Sequence, residues 1–191
     1  MKKILAAVAL VGLSTTAALA APEKYVLDSS HSQIVFNYNH LGFSTGSGMF
    51  SGFEGEIMFD QEAPANSSVS VSMPLSSMLT GWQARFDHFM SADFFGAKGD
   101  EQITFTSTNI EVTGDTAAKI TGDLTLNGVT KSVVLDATLN QAGDHPMAGK
   151  PWAGFDATTT LVRSDFGLEK FAPYVSDEVA VAISVEAMKA E

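Results

Sequence analysis

The stretch KITGDLTLNGVTKSVVLDATL, residues 119–139, decides the fold class. Apolar residues stand at every second position on both sides of Asn127-Gly128, which is the spacing of strands with one buried face. An Asn-Gly pair between two alternating runs is the strongest short-range signal for a two-residue hairpin, because both residues tolerate positive φ. The stretch therefore predicts two antiparallel strands joined by a tight turn.

The same period of two recurs along most of the chain. Turn-forming residues separate the alternating runs, as in Gly46-Ser47-Gly48 and Gly114-Asp115. Eight or more strands with short connections are typical of an antiparallel sandwich or barrel. The alternating runs are 32–39, 53–59, 68–73, 102–106, 119–126, 133–139, 155–161 and 179–185.

Residues 76–90 break this period. Their apolar side chains recur at intervals of three and four residues, which is the pattern of one face of a short helix. A loop with two adjacent aromatic residues, Phe94 and Phe95, follows. We therefore expect an all-β domain with one short helix crossover. The residues at helical spacing are Leu79, Trp82, Phe86, Phe89 and Met90.

The first twenty residues are typical of a secretory signal peptide. Two lysines precede an apolar run from Ile4 to Leu13, and Ala18-Leu19-Ala20 fits the small-x-small cleavage pattern. The apolar run is too short to span a bilayer. We expect cleavage after Ala20, so that residues 21–191 form one periplasmic domain without stable membrane insertion.

Composition and charge narrow the function classes. The chain has 191 residues, of which 45% are hydrophobic, and it has no cysteine. Its formal charge is −11, which becomes −13 when the two lysines of the signal peptide are removed. Such acidity argues against nucleic acid as a partner, because nucleic acid is bound through basic patches. Without disulfides, stability has to come from the packing of one core, which a chain of this length can bury.

The interior of an eight-stranded barrel can be filled by side chains or can hold one small ligand. The chain has 13 Phe, many of them in the strands and the helix segment. Gly55 and Gly122 are in phase with inward residues and would leave room beside them, which favours a hollow interior. The alternative is that Phe fills the core and glycine marks bends of the sheet. Alternation alone leaves both interpretations open.

An ordered set of short motifs covers almost the whole chain after the signal peptide. Each motif is short, but the ordered set resembles the YceI-like family. The motifs are YVLD at 25–28, HSQIVF at 31–36, HLGF at 40–43, SADFF at 91–95, ITFTST at 103–108, GDLTLNGVTK at 122–131, RSDFG at 163–167 and DEV at 177–179.

This resemblance implies an exported, lipocalin-like antiparallel barrel of eight strands. It also implies that the barrel binds a long apolar molecule, such as a polyisoprenoid, an isoprenoid quinone or a fatty amide, with no catalytic residue, cofactor or metal. Two positions depart from the family pattern: Phe86 separates Arg85 from Asp87, and Asn127 stands where the family often has His.

The helix segment is expected to close part of the cavity mouth, with aromatic rings against the ligand. Arg85 is the best candidate to hold a phosphate there, since a guanidinium donates bidentately, and Arg163 is a second candidate. A neutral isoprenoid or amide fits the acidic chain as well as a diphosphate does. The predicted ligand-binding residues are Ile34, Phe36, Tyr38, Phe43, Phe53, Phe59, Met73, Trp82, Arg85, His88, Phe89, Phe94, Phe95, Phe105, Leu124, Leu126, Phe155 and Phe166.

Two other functions stay open. One is an enzyme that acts on a hydrophobic substrate in the same barrel, with His88 and Asp87 as acid and base. The other is a ligand-free stress-response interaction module with a solid core. No G-x-S-x-G elbow or dinucleotide fingerprint is present, and the spacing of His31 and His40 does not predict a metal site. A homodimer would cover an apolar cavity mouth.

Overall fold

The structure, a computed structural model, describes residues 21–191, and the predicted signal peptide lies outside the described residues. No helix among residues 21–191 is long and apolar enough to cross a bilayer. The strands are β1 (Glu23–Leu27), β2 (Gln33–His40), β3 (Ser44–Ser51), β4 (Glu54–Phe59), β5 (Ser68–Pro74), β6 (Met78–Leu79), β7 (Gln102–Val112), β8 (Ala117–Leu126), β9 (Val129–Asp144), β10 (Pro151–Val162) and β11 (Glu178–Lys189). The α-helix is α1 (Gln83–Met90), and short 3-10 turns lie at Pro64–Asn66, Leu75–Ser77 and Arg163–Phe166.

The sheet closes on itself through β11. One edge of β11 pairs with β10, and its other edge is shared, because residues 180–184 pair with β2 and residues 187–189 pair with β1. Since β1 also pairs with β4, eight antiparallel strands form a ring in the order β1-β4-β5-β7-β8-β9-β10-β11. Strands β2, β3 and β6 extend the wall beside β11. The predicted eight-stranded antiparallel barrel is confirmed.

The hairpin predicted over residues 119–139 is also confirmed. Strands β8 and β9 meet at Asn127 and Gly128, whose φ angles are 52° and 72°. The Asn127 side chain donates a hydrogen bond from Nδ2 to the carbonyl oxygen of Phe166 at 2.9 Å. This turn is therefore tied to the segment that follows β10.

The turn predicted at Gly46-Ser47-Gly48 is wrong, since these residues lie within β3. The register pairs Gly46 with Tyr38 and Gly48 with Phe36 of β2. A Cβ atom at either glycine would lie 2.3 Å from Cζ of the paired ring. Glycine is required here because aromatic rings cover the strand. The turn itself comes earlier, where Leu41 has a φ of 57°.

The predicted helix is correct only over its second half. The helix α1 begins at Gln83, after Gly81 with a φ of 75° and after Trp82 in an extended conformation. Leu79 belongs to β6, where it is exposed and pairs with Met49 of β3. The apolar residues keep a helical spacing through β6 and the following turn, so the predicted helix began too early.

Gly55 and Gly122 do not leave empty room, contrary to the expectation. A Cβ atom at Gly122 would lie 2.4 Å from Cζ of Phe105, and one at Gly55 would lie 2.9 Å from Cδ1 of Leu27. The absence of a side chain at Gly122 lets the Phe105 ring lie flat along the barrel wall.

Substitution of Gly122 by alanine is expected to destabilise the fold. The added methyl group would overlap the Phe105 ring and would approach the Thr106 carbonyl oxygen to 2.7 Å. Overpacking of this kind costs about 1–3 kcal/mol, measurable by urea unfolding. Gly114→Ala is the matched control, because its nearest neighbour would be Cβ of Ala117 at 3.5 Å. Equal stability of the two variants would contradict the close contact at Gly122.

Candidate ligand-binding cavity

A cavity of about 1090 Å³ lies inside the barrel, and every strand of the ring contributes to its wall. This volume is at the upper limit of the ~300–1,000 Å³ usual for small-molecule sites. Both Ala117 and Leu126 line it, so the cavity follows the ten residues of β8, which span roughly 30 Å. We call its two ends the helix mouth, formed by Leu41, Trp82, His88, Phe171 and Tyr174, and the turn end, formed by residues 114–116 between β7 and β8.

All of the predicted ligand-binding residues except Phe43 line this cavity. Phe43 is wrong as a wall residue: it lies in the turn between β2 and β3 and is 91% exposed. The alternation that places Phe36 and Tyr38 inside ends at this turn, so it gives no direction for Phe43. Contact of the other residues with a ligand stays a prediction.

A second part of the wall was not named from the sequence. It consists mainly of aliphatic residues on β7 to β11, most of which follow the same alternating phase as the named residues. Alternation is a sufficient signal for all of them except Ile110, because a bulge between Ser107 and Asn109 shifts the phase of β7. These wall residues are Ile110, Ile120, Val133, Leu135, Ala137, Leu139, Ala157, Leu161, Val179, Val181, Ile183 and Val185.

The helix α1 lies over the helix mouth through Phe89. The Phe89 ring packs edge-on against Phe36 and Tyr38, with centroids 6.2 and 6.0 Å away, and tilted against Phe94 at 5.2 Å. Trp82 stands at the exposed edge of the mouth, with 66% of its surface accessible. The helix segment therefore closes part of the mouth with aromatic rings.

Polar contacts join α1 and its following loop to the opposite side of the mouth. His88 Nε2 lies 3.2 Å from one carboxylate oxygen of Asp93, and Lys170 donates to the other oxygen. Hydrogen bonds lower the pKa of Asp93, and the bond from Lys170 contributes more than the bond from His88. Asp87 accepts a hydrogen bond from Gln83 at 2.8 Å instead. His88 and Asp87, considered as acid and base of an enzyme, therefore have separate hydrogen-bond partners.

Arg163 anchors residues 167–177, the chain segment opposite α1 at the helix mouth. Its guanidinium is buried and donates to the carbonyl oxygens of Leu168, Lys170, Val175 and Ser176. Burial lowers the pKa of this guanidinium. Because backbone carbonyl oxygens accept most of its N–H donors, Arg163 does not have two free parallel donors with which to bind a phosphate.

Arg85 is the exposed cation of the helix mouth. It lies on α1, lines the cavity, and uses one Nη1 donor for the carbonyl oxygen of Thr80 at 3.0 Å. None of the ion pairs formed among residues 21–191 includes it. Its remaining donors are therefore available to an acceptor at the mouth.

One group of side chains in the described part of the chain has donor atoms close enough for a metal ion. Atoms of Asp28, His31 and Glu186 lie within 4.8 Å of one another. Each already has a partner, however: Asp28 Oδ2 is 2.6 Å from His31 Nδ1, and Glu186 accepts from Trp152 Nε1 at 2.9 Å. Hydrogen bonding accounts for this cluster without a metal.

The Asp28–His31 pair makes stability depend on pH. Hydrogen bonds from Ser30 and His31 lower the pKa of Asp28 to about 2, and the bond to Asp28 raises the pKa of His31. The stabilisation from Asp28 is present above its unfolded pKa of ~3.9 and is lost as the pH falls through about 2. The stabilisation from His31 is present below ~6.5 and is lost as the pH rises through its raised folded pKa.

Asp28→Asn is therefore expected to return the pKa of His31 toward ~6.5, because it removes the carboxylate that favours the imidazolium. Titration of the His31 ring protons by NMR measures this change. Asp136→Asn is the matched control, since Asp136 pairs with Lys119. An unchanged His31 titration in Asp28→Asn would contradict the assignment of the pair.

Comparison with known proteins places this barrel in a family. The sequence matches the model of the YceI-like domain over residues 25–187. Protein YceI of Escherichia coli O157:H7 and a UPF0312 protein of Pseudomonas aeruginosa are each 39% identical over 191 residues, which is 99% of this chain and 99% of each relative.

Solved structures have the same fold. BcnA of Burkholderia cenocepacia has a TM-score of 0.75 at 25% identity, over 84% of this chain and 98% of that one. The YCEI protein of Campylobacter jejuni has a TM-score of 0.73 at 32% identity, over 80% of this chain and 90% of that one. A polyisoprenoid binding domain from Saccharophagus degradans is 15% identical and shares the fold. Its TM-score is 0.67 over 87% of this chain and 98% of that one. The family match and the close relatives show that this chain belongs to the YceI-like family.

Proposed function

We propose that this protein is a periplasmic carrier that holds one long apolar molecule, a polyisoprenoid, an isoprenoid quinone or a fatty amide, inside its barrel. The observation that carries the proposal is the cavity, whose largely apolar wall continues from the helix mouth to the turn end. The signal-like residues 1–20 support the export that the proposal includes.

The energetics of transfer suit such a ligand. Burial of hydrocarbon gains about 0.8 kcal/mol per CH₂, so a chain of about ten carbons gains roughly 8 kcal/mol before ordering costs. That free energy corresponds to a Kd on the order of 1 μM. A cavity that follows the length of β8 therefore favours extended chains over compact ligands of similar polarity.

The comparisons suggest a binding protein rather than an enzyme. The chain belongs to the YceI-like family, and one protein of the same fold is described as a polyisoprenoid binding domain. The cavity also removes the basis of the solid-core interaction module, which required a filled interior. The enzymatic alternative depended on His88 and Asp87, which have separate partners.

The protein isolated from the periplasm, after expression with its own residues 1–20, is expected to carry a lipid. Native mass spectrometry should give the mass of the processed chain plus one apolar molecule, which organic solvent extracts. The same spectrum reports whether the protein is a monomer or a dimer. A ligand-free protein that also fails to bind added polyisoprenol, quinone and fatty amide would refute the carrier function.

A bulky side chain inside the barrel is expected to reduce binding. Ala157 lines the cavity, so Ala157→Phe should fill part of it and weaken the affinity for a fluorescent fatty probe at least tenfold. Ala182→Phe is the matched control, because Ala182 is an exposed residue of the neighbouring strand β11 that does not line the cavity. Circular dichroism verifies that both variants fold. Equal affinities would place the bound molecule outside the cavity.

A further inference from the structure

The charged side chains of the cavity wall are separated by sign. Within residues 21–191, the wall contains two arginines, Arg85 and Arg163, and the carboxylate of Asp115. Asp156 also borders the cavity, but its carboxylate accepts from Ser184 on the outer face of β10 and β11. His40 and His88 are the histidines of the wall. The arginines and Asp115 lie at opposite ends of the cavity.

The position of each residue in the fold shows which end each charge occupies. Asp115 belongs to the turn between β7 and β8 and therefore lies at the turn end. Arg163 follows the last residue of β10, beside the hairpin between β8 and β9, and Arg85 lies on α1. Both arginines therefore lie at the helix mouth.

The positive charge of Arg163 is not balanced by an ion pair. Arg163 is 8% exposed, and no carboxylate of the described residues lies within ion-pair distance of its guanidinium. The nearby Asp177 accepts hydrogen bonds from Ser164 instead. Four backbone carbonyl oxygens solvate the guanidinium. Since charges are screened less in a buried position than in water, this cation contributes a positive potential to its end of the cavity.

The acidic residues around the helix mouth do not line the cavity. Asp93 is paired with Lys170 and His88, and Asp87 accepts from Gln83. Arg85 thus faces the mouth without a neighbouring carboxylate in contact. A guanidinium in this state is suited to a carboxylate or phosphate, which it can bind through two parallel hydrogen bonds.

We propose that the cavity selects and orients an amphiphile with an oxyanionic head group, a carboxylate or a phosphate. The head group lies at the helix mouth against Arg85, and the hydrocarbon chain points toward the turn end. This inference rests on the carrier function proposed above. It adds a preference among head groups that the apolar wall alone does not impose and that the net charge of the chain left open.

The head-group preference is tested with chains of one length. Palmitate is expected to bind about tenfold more tightly than hexadecanol and more tightly still than hexadecylamine. Arg85→Gln should lower the palmitate affinity about tenfold and thereby abolish the preference for palmitate over hexadecanol. Lys98→Gln is the matched control, since Lys98 is an exposed cation in the loop after α1 and does not line the cavity. Farnesyl phosphate, compared with farnesol, distinguishes an isoprenoid phosphate from a fatty carboxylate as the preferred source of the oxyanion.

The orientation is tested with the two tryptophans, which lie near opposite ends. Trp82 stands at the helix mouth, and Trp152 of β10 lies against His145 beyond the turn end, in a cleft that shares Phe155 and Asp156 with the cavity. Two stearates are used, one with a nitroxide beside its carboxylate and one with a nitroxide at its methyl end. In Trp152→Phe, where Trp82 emits, the first should quench more strongly. In Trp82→Phe, where Trp152 emits, the second should quench more strongly.

The outcomes separate this inference from the carrier function. Failure of every hydrocarbon probe to bind would refute the carrier function itself. Binding of hexadecanol and hexadecylamine as tight as that of palmitate, unaffected by Arg85→Gln, would overturn the head-group preference alone. The reverse quenching order at both tryptophans would overturn the orientation. Quenching is compared at saturating ligand, so a changed affinity of the Trp82 variant does not alter the result.

Discussion

The structure depends on a closed ring of backbone hydrogen bonds around an interior that side chains do not fill. A wall next to empty space loses the dispersion contacts that a filled core would supply, so the ladder has to hold the wall in place. Closure requires β11 to divide one edge between β1 and β2. The packed core lies to one side, largely on β1, β3, β4 and the turns beside β6, where Phe53 is almost fully buried. The cavity occupies the rest of the barrel interior.

Aromatic rings leave this interior open because glycine lets them lie along the wall. Phe105 covers Gly122, and Phe36 covers Gly48, with no space for a Cβ between ring and backbone. A ring that stood upright from the wall would reach into the space that a ligand needs. Phe36 and Phe105 therefore line the barrel instead of filling it, because the glycine beneath each ring leaves room for the ring against the wall.

Local sequence patterns predicted the fold well and the polar contacts poorly. Period-two alternation identified β8, β9 and the inward phase, because each signal lies within one strand. It missed β3, because Gly46 and Gly48 are typical turn residues unless the rings on the neighbouring strand are known. His88 and the adjacent Asp87 were considered together as acid and base, whereas the structure places His88 beside Asp93, which Lys170 also binds from 77 residues away. Contacts between segments that are distant in the sequence leave no periodic pattern in it, so alternation cannot predict them.

Side-chain contacts hold the helix mouth closed, whereas strand pairing holds the barrel closed. Separation of α1 and its following loop from residues 167–177 breaks the contact of Asp93 with Lys170 and the packing of Phe94 and His88 against Phe171, but no strand pairing. The Asp93 contact is exposed, so solvent screens it. Arg163, in contrast, is buried and holds residues 167–177 through four carbonyl oxygens. Movement that widens the helix mouth therefore costs least on the α1 side, while the segment held by Arg163 keeps its place at the end of the barrel.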